Sequence, residues 1–278
     1  MITSSTNPGV KFAVSLNRAT VRKKTGMFLI EGIREIRLAV DAGYRFHTLY
    51  FCPEIAGKEV LAKPSAAADQ PGTRNLVDAL AGEAQIIETT TPVFKKMVYR
   101  ESSDGLLALA FRQNPALGDL IIGNDPLILV AESVEKPGNL GAILRTADAA
   151  GIDAVLVCDA NTDIYNPNVI RSSLGTVFTL PVVTCSSKEA LTWLKEKSIK
   201  IFTTALTASI PYYEAGFTGP AAIVAGAEAT GVSSVWHENS DVNIIIPMFG
   251  KVDSMNVSVA TSIVLYEALR QRKFKSIK

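Results

Sequence analysis

Residues 127–151 read "LILVAESVEKPGNLGAILRTADAAG". The first five side chains are apolar without interruption, which suits a strand covered on both faces. After a polar turn punctuated by proline and glycine, the period changes. Leu140, Ile143, Leu144 and Ala147 recur at three- and four-residue spacing, the stripe of an amphipathic helix, and Gly151 stops it. A buried strand, a short loop and a helix make half of a β/α crossover, the unit from which parallel sheets are built.

The same alternation continues outward from this stretch. "AVLVCD" (154–159), "TLPVVTC" (179–185), "KIFTTAL" (200–206), "AAIVAG" (221–226) and "VNIIIP" (242–247) read as strands, with helical patterns between most of them. Upstream lies a smaller α/β pattern. "MFLIEG" (27–32) reads as a strand, "IREIRLAVDAG" (33–43) as a helix stopped by Gly43, and "TLYFCP" (48–53) as a strand closed by Pro53. "AQIIETT" (84–90) and "LLALAF" (106–111) are further strands, separated by the helix-like "PVFKKMVY" (92–99), and residues 62–74 read as a surface loop. Two domains follow, residues 1–112 and 127–278, joined by a polar, Gly/Pro-punctuated linker over 113–126.

With 278 residues, 47% hydrophobic and 20% charged, the chain has the composition to bury a sizeable core. Cys52, Cys158 and Cys185 are far apart and form no CxxC, and only His47 and His237 are present, so neither a disulfide framework nor a metal site is expected. No segment approaches the roughly 18 apolar residues of a membrane span, and "MITSSTNPGV" lacks the apolar core of a signal peptide. A cytoplasmic protein without a membrane partner is the expectation.

The net charge of +1 conceals a split. Residues 1–115 carry 15 Lys+Arg against 11 Asp+Glu, and the remainder 13 against 16. Arg18, Arg22, Lys23 and Lys24 cluster in "NRATVRKKTG" (17–26), either as a phosphate-facing patch or as a solvated charge run.

Ligands of parallel sheets bind beyond the carboxyl ends of the strands, so three loops matter most. The first has GNLG where a dinucleotide fold has GxGxxG, and GxxxxGK[ST] is absent, which excludes both phosphate-loop readings. On its helix Arg145 points away from the core stripe between Ala142 and Ala149. That position leaves room for a partner, though an exposed arginine in a salt bridge shows the same pattern. The second loop, "AAIVAGAEATGVSS" (221–234), offers Gly226, Glu228 and Gly231, whose small size lets backbone reach a ligand; a plain strand-to-helix turn uses the same types. The third is "IPMFGKVDSMNVSVATSIVLYEALRQR" (246–272). A helix cap explains one of Asp253, Ser254 and Asn256, not all three. Its helix is apolar on one face at Val257, Ala260, Val264 and Ala268 and on another at Val259 and Ile263, so the sheet and a second subunit are expected to cover it.

In this order the three loops resemble the SpoU (TrmH-type) family of RNA 2′-O-ribose methyltransferases, of the SPOUT superfamily. The match rests on "PGNLGAILRTADAAG" with Asn139, Gly141 and Arg145, on "GAEATGVS" with Gly226, Glu228 and Gly231, and on "IPMFGKVDSMNVSVA" with Ser254 and Asn256. Met255 replaces the usual Leu, and Val232 a usual Leu or Met. The front domain, with "FLIEGIREIRLAVDAG" and "SSDGLLALAF", resembles the ribosomal-protein-like RNA-binding domain of many members.

The resemblance implies a C-terminal α/β methyltransferase domain tied in a trefoil knot, a feature that periodicity cannot reveal. It implies S-adenosylmethionine-dependent 2′-O-methylation of a ribose in structured RNA, with ribosomal RNA of the 23S type favoured over transfer RNA, by a homodimer. Backbone around Gly226, Gly231, Ile246 and Met255 would hold the donor, Ile246 and Met255 adding apolar contacts. Arg145, with Asn139, Glu228, Ser254 and Asn256, would face the target ribose and its phosphate, and no metal is required. Arg171, in "NPNVIRSSLG" (166–175), is either a further RNA contact beside Arg22, Lys23 and Lys24 or a structural ion-pair partner. Two other functions remain open: a non-catalytic RNA-binding or ribosome-assembly protein on the same fold, and a nucleotide-binding α/β enzyme of another reaction class.

Overall fold

A computed structural model describes residues 1–56, 76–99, 103–205, 209–227, 230–252 and 254–272. They form two compact units, Met1–Gln113 with Tyr165–Phe178, and Asn114–Ile164 with Thr179–Lys278.

The first unit is built on a four-stranded sheet of β1 (Met27–Glu31), β2 (Phe46–Phe51), β3 (Gln85–Glu88) and β4 (Leu106–Phe111), in the order β1-β4-β2-β3. β4 runs antiparallel to β1 and β2, and β2 parallel to β3. Its helices are α1 (Pro8–Ser15), α2 (Ala19–Thr25), α3 (Ile33–Asp41), α4 (Leu76–Leu80) and α5 (Thr91–Met97). The strands, α3 and α5 fall where the apolar pattern puts them. α1 and α2 were not legible in that pattern. α1 starts through local chemistry: the Asn7 carboxamide accepts the Gly9 amide at 2.8 Å, and Pro8 takes the first helical position. The surface loop expected over 62–74 lies outside the described residues.

The chain next makes α6 (Pro137–Ala150) in the second unit and then returns to the first with α7 (Pro167–Ser172). Pattern alone places this returning segment in the second domain; aromatic packing accounts for its actual place. The Tyr165 ring centroid lies 4.3 Å from that of Phe28, and Phe178 meets Tyr44 edge-on at 5.1 Å. The Tyr165 hydroxyl donates to the Gln113 carbonyl at 2.7 Å. Gly175 turns the chain with φ +84°, where an added Cβ would stand 2.9 Å from a Leu38 methyl. Burial pushes the Tyr44 phenol above its ordinary pKa, and neighbouring Tyr165 adds to the shift.

The second unit holds an all-parallel seven-stranded sheet, ordered β7-β6-β5-β10-β8-β11-β9. The strands are β5 (Leu127–Glu132), β6 (Ala154–Cys158), β7 (Val182–Cys185), β8 (Lys200–Thr204), β9 (Ile210–Pro211), β10 (Ala221–Ala225) and β11 (Val242–Ile245). Only the two-residue β9 escaped the sequence pattern. Every residue of β5, β6 and β10 is buried, the signature of strands covered on both faces. Residues 114–126, expected as linker, instead belong to this unit, because Leu117, Leu120 and Ile122 pack on the core cluster that contains Ile128, Leu156, Trp193 and Trp236.

The remaining helices are α8 (Ser187–Glu196), α9 (Ser234–Asn239) and α10 (Val257–Gln271). α10 lies against α6 and β10 and buries Val257, Thr261, Val264, Leu265 and Ala268. Arg272 fastens its end by donating to the carbonyls of Phe217, Asp125 and Gly219. Because the strands are parallel, the loops after β5, β10 and β11 all leave the same edge of the sheet. Among the described residues no helix is long and apolar enough to cross a membrane.

Candidate functional site

The loop after β10 shows why its glycines are glycines. A Cβ on Gly226 would lie 2.4 Å from the Gly231 carbonyl carbon and 2.5 Å from the Val232 nitrogen, so no other residue fits. Just beyond, Ala227 and Gly231 exchange both backbone hydrogen bonds at 3.0 Å, and Gly231 sits at φ +67°. The loop thereby folds back on itself. Glu228, from the same stretch of sequence, lies outside the described residues.

The first and third loops are joined directly. Pro137 occupies the first turn of α6, and Asn139 follows it. Asn256 caps α10, its side-chain oxygen accepting from the Ser258 amide at 3.0 Å and the Ser258 hydroxyl at 2.6 Å. Its amide nitrogen meanwhile donates to the Asn139 side-chain oxygen at 3.2 Å, across 117 residues of sequence. Asn256 therefore does more than cap. About two helical turns further along, Thr146 and Ser262 meet hydroxyl to hydroxyl at 3.2 Å, so the two helices hold a fixed register.

Arg145 stands exposed on α6, opposite the buried stripe of Leu140, Ile143, Leu144 and Ala147. Among the described residues it has no ion-pair partner. Ser254 is exposed, and Ile246 and Met255 are half-buried. Residues 246–252 make no backbone-to-backbone hydrogen bond outside the helices and strands among the described residues.

Sequence reasoning missed Glu132, the last residue of β5. It is 2% exposed, and its carboxylate accepts the Ser187 hydroxyl at 2.8 Å, the Ser233 hydroxyl at 2.6 Å and the Ser233 amide at 2.7 Å. Ser187 in turn accepts the Trp236 indole N–H at 3.1 Å. One buried carboxylate thus ties the starts of α8 and α9 to the central sheet and fixes the far end of the Gly226–Ser233 loop. The available signal was an acidic residue closing an otherwise wholly apolar strand.

Of the basic candidates, Arg22 requires correction as an RNA contact. It is 1% exposed, and its guanidinium donates to the carbonyls of Leu16 and Asn17 at 2.8 and 2.9 Å, closing the end of α1. Lys23 and Lys24 on the same helix are exposed. Arg171 is exposed on α7 and belongs to the first unit, where it lines a notch with Asn17, Glu31 and Tyr99. No group of three or more metal-ligating side chains occurs among the described residues.

Comparison with known proteins places this geometry. The model of the SpoU rRNA Methylase family matches residues 126–266, and that of the MRM3-like substrate binding domain matches residues 7–108. The chain is 31% identical, over 95% of its length and 97% of the relative's, to the 23S rRNA (guanosine(2553)-2′-O)-methyltransferase RlmP of Bacillus subtilis. A solved RNA 2′-O ribose methyltransferase shares 38% identity with a TM-score of 0.78, covering 98% of this chain and 99% of that one. An AdoMet-bound rRNA methyltransferase from Sinorhizobium meliloti superposes with a TM-score of 0.85 at 25% identity, covering 97% of each chain. With the family model matching the whole parallel-sheet core and relatives aligning almost end to end, this chain belongs to the SpoU rRNA methylase family.

Proposed function

We propose that this protein transfers the methyl group of S-adenosylmethionine to the 2′-hydroxyl of a ribose in ribosomal RNA, acting in the cytoplasm. The observation that carries the reading is the Asn139–Asn256 hydrogen bond, which unites the two polar helix starts beside the parallel strand ends where ligands bind. Membership in a family whose aligned relative modifies 23S rRNA supports the choice of RNA.

The residues fit the donor. The irregular backbone over 246–252 lies at the carboxyl end of β11, where a purine edge would meet main-chain groups, and half-buried Ile246 and Met255 offer apolar contact. The close approach of Gly226 to Gly231 and Val232, with the Ala227–Gly231 hydrogen-bond pair, adds a backbone wall. When bound, S-adenosylmethionine would supply an electrophilic sulfonium methyl to the ribose oxygen, leaving as the neutral thioether, while the hydroxyl proton passes to water or to the adjacent RNA phosphate.

The protein's task is to align that oxygen and stabilise the charge growing on it. An arginine guanidinium stays protonated in proteins, so Arg145 serves as charge rather than base. Its planar fork suits a bidentate contact with the phosphate next to the target ribose. Asn139, held by Asn256, and exposed Ser254 orient the ribose, and the resemblance to the family adds Glu228 to this set. Exposed Lys23, Lys24 and Arg171 on the first unit dock the RNA backbone.

The active form is a homodimer. On α10, Val259 and Tyr266 are 48% and 44% exposed beside half-buried Ile263, an apolar face that the described residues cover only in part. Calorimetric titration with S-adenosylmethionine tests the proposal: micromolar binding is expected, and its loss in Gly226→Ala, whose added methyl would break the loop. Absence of binding by the unmodified protein overturns the reading. Binding without transfer to ribosomal RNA would favour a non-catalytic RNA-binding role.

A further inference from the structure

Away from the proposed transfer site, two thiols lie side by side in the second unit. Cys158 ends β6 and Cys185 ends β7, and the two are paired in register across adjacent parallel strands. Neighbouring strands run about 4.8 Å apart, within the roughly 4.4–6.8 Å Cα range of disulfides. The two sulfur atoms are already 3.8 Å apart. Cys158 is fully buried in the core cluster, whereas Cys185 is half-buried at its rim. The third cysteine, Cys52, is buried in the first unit against Thr91.

We infer that Cys158 and Cys185 form a modification site that a hydroperoxide closes to an intramolecular disulfide, and that closing it disturbs the Glu132 carboxylate bridge. The chemistry balances in two steps. The Cys185 thiolate attacks the hydroperoxide, an S–O bond forming as the O–O bond breaks, and the leaving oxygen takes a proton as water or alcohol. Cys158 then attacks the Cys185 sulfenic acid. The S–S bond forms, the S–O bond breaks, and the Cys158 proton departs with the hydroxide as water. Two thiols are oxidised and one hydroperoxide is reduced.

Exposure assigns the roles. Cys185 is the sulfur a small oxidant reaches, and buried Cys158 resolves it. The S–H of Cys158 directed at Cys185 lowers the Cys185 pKa, opposed by burial and by the carboxylates of Glu189 and Asp159. The same hydrogen bond, burial, and the charges of Asp159 and Glu132 raise that of Cys158. Cys185 is therefore the first to ionise, and its reaction accelerates with rising pH at values below the ordinary thiol range.

The coupling follows from the backbone. Glu132 is the in-register partner of Cys158 on β5, and Ser187 lies two residues beyond Cys185. The Ser187 amide donates to Asp159 at 3.2 Å, and the Asp159 amide to the Cys185 carbonyl at 3.1 Å. Bringing the sulfurs from 3.8 Å to about 2.05 Å rotates both side chains, and that rotation presses on the strand ends that carry Glu132 and Ser187.

The test treats the full-length protein with stoichiometric hydrogen peroxide and maps non-reduced peptides by mass spectrometry. Hydrogen exchange is then compared between the reduced and oxidised forms. Expected are a Cys158–Cys185 cross-link that thiol reductant reverses, retained in Cys52→Ser and absent in Cys185→Ser, and exchange at least threefold faster at Ser187 and Ser233. In Cys158→Ser, Cys185 should stop at the sulfenic acid, and a second equivalent of peroxide should carry it to sulfinic acid. Unlinked peptides in the unmodified protein, or links only between chains, overturn the site. A linked protein with unchanged exchange at Ser187 and Ser233 overturns the coupling.

Discussion

Arg145 and Asn139 share α6 but do different work. Asn139 is held by Asn256, whereas Arg145 projects alone with Ala142 and Ala149 at its sides. Replacing Arg145 with Ala is expected to lower kcat by about 100-fold or more, the scale of losing one charge-stabilising donor, with donor affinity kept within about twofold. Arg145→Lys should fail nearly as badly, because a point charge does not reproduce a two-pronged contact. Single-turnover transfer and calorimetry read the two effects separately; a parallel loss of donor binding would move Arg145 to the donor side. The loops that follow strands brought Arg145, Gly226 and Asn256 forward as candidates in the sequence, and the family resemblance added Asn139. Glu132 was not, since its partners Ser187 and Ser233 lie 55 and 101 residues away and only the fold assembles them.

At the scale of elements, α2 divides its basic residues by burial. Charge clustering grouped Arg22 with Lys23 and Lys24 because composition carries no information on which side of a helix packs. Arg22→Ala should destabilise the protein by about 2–3 kcal/mol, through two helix-end carbonyls left without a donor, measured by chemical denaturation. Lys23→Ala with Lys24→Ala should leave stability within about 0.5 kcal/mol and reduce the salt slope of RNA affinity by about 1 for each phosphate no longer neutralised. An unchanged slope would remove these lysines from the RNA surface. On α10 the two apolar stretches were legible in the period; among the described residues Val257, Val264 and Ala268 are buried, Ile263 is half-buried and Val259 is exposed. Ile263→Asp is expected to convert a dimer to a monomer by light scattering at micromolar concentration. A variant that remains dimeric would place the interface elsewhere.

For the whole molecule, β/α alternation gave the parallel sheet, because strands buried on both faces carry an unmistakable apolar run. The return of Tyr165–Phe178 to the first unit left no such trace, being decided by which aromatic rings meet in space. It carries a consequence for dissection. Deleting residues 1–112 would uncover Tyr165, Val169, Ile170, Val177 and Phe178, each at most 5% exposed, at about 1.5–3 kcal/mol apiece. Such a truncation should bind a hydrophobic dye and aggregate; a soluble, dye-silent fragment would show that the segment repacks.

Methyl transfer itself is the most direct measurement. Ribosomal RNA lacking its 2′-O-methyl groups, incubated with the protein and methyl-labelled S-adenosylmethionine, is digested to nucleosides and separated. The account predicts label in a single 2′-O-methylated nucleoside, abolished by Arg145→Ala. Label on a nucleobase, or none from a protein that binds the donor, would contradict it.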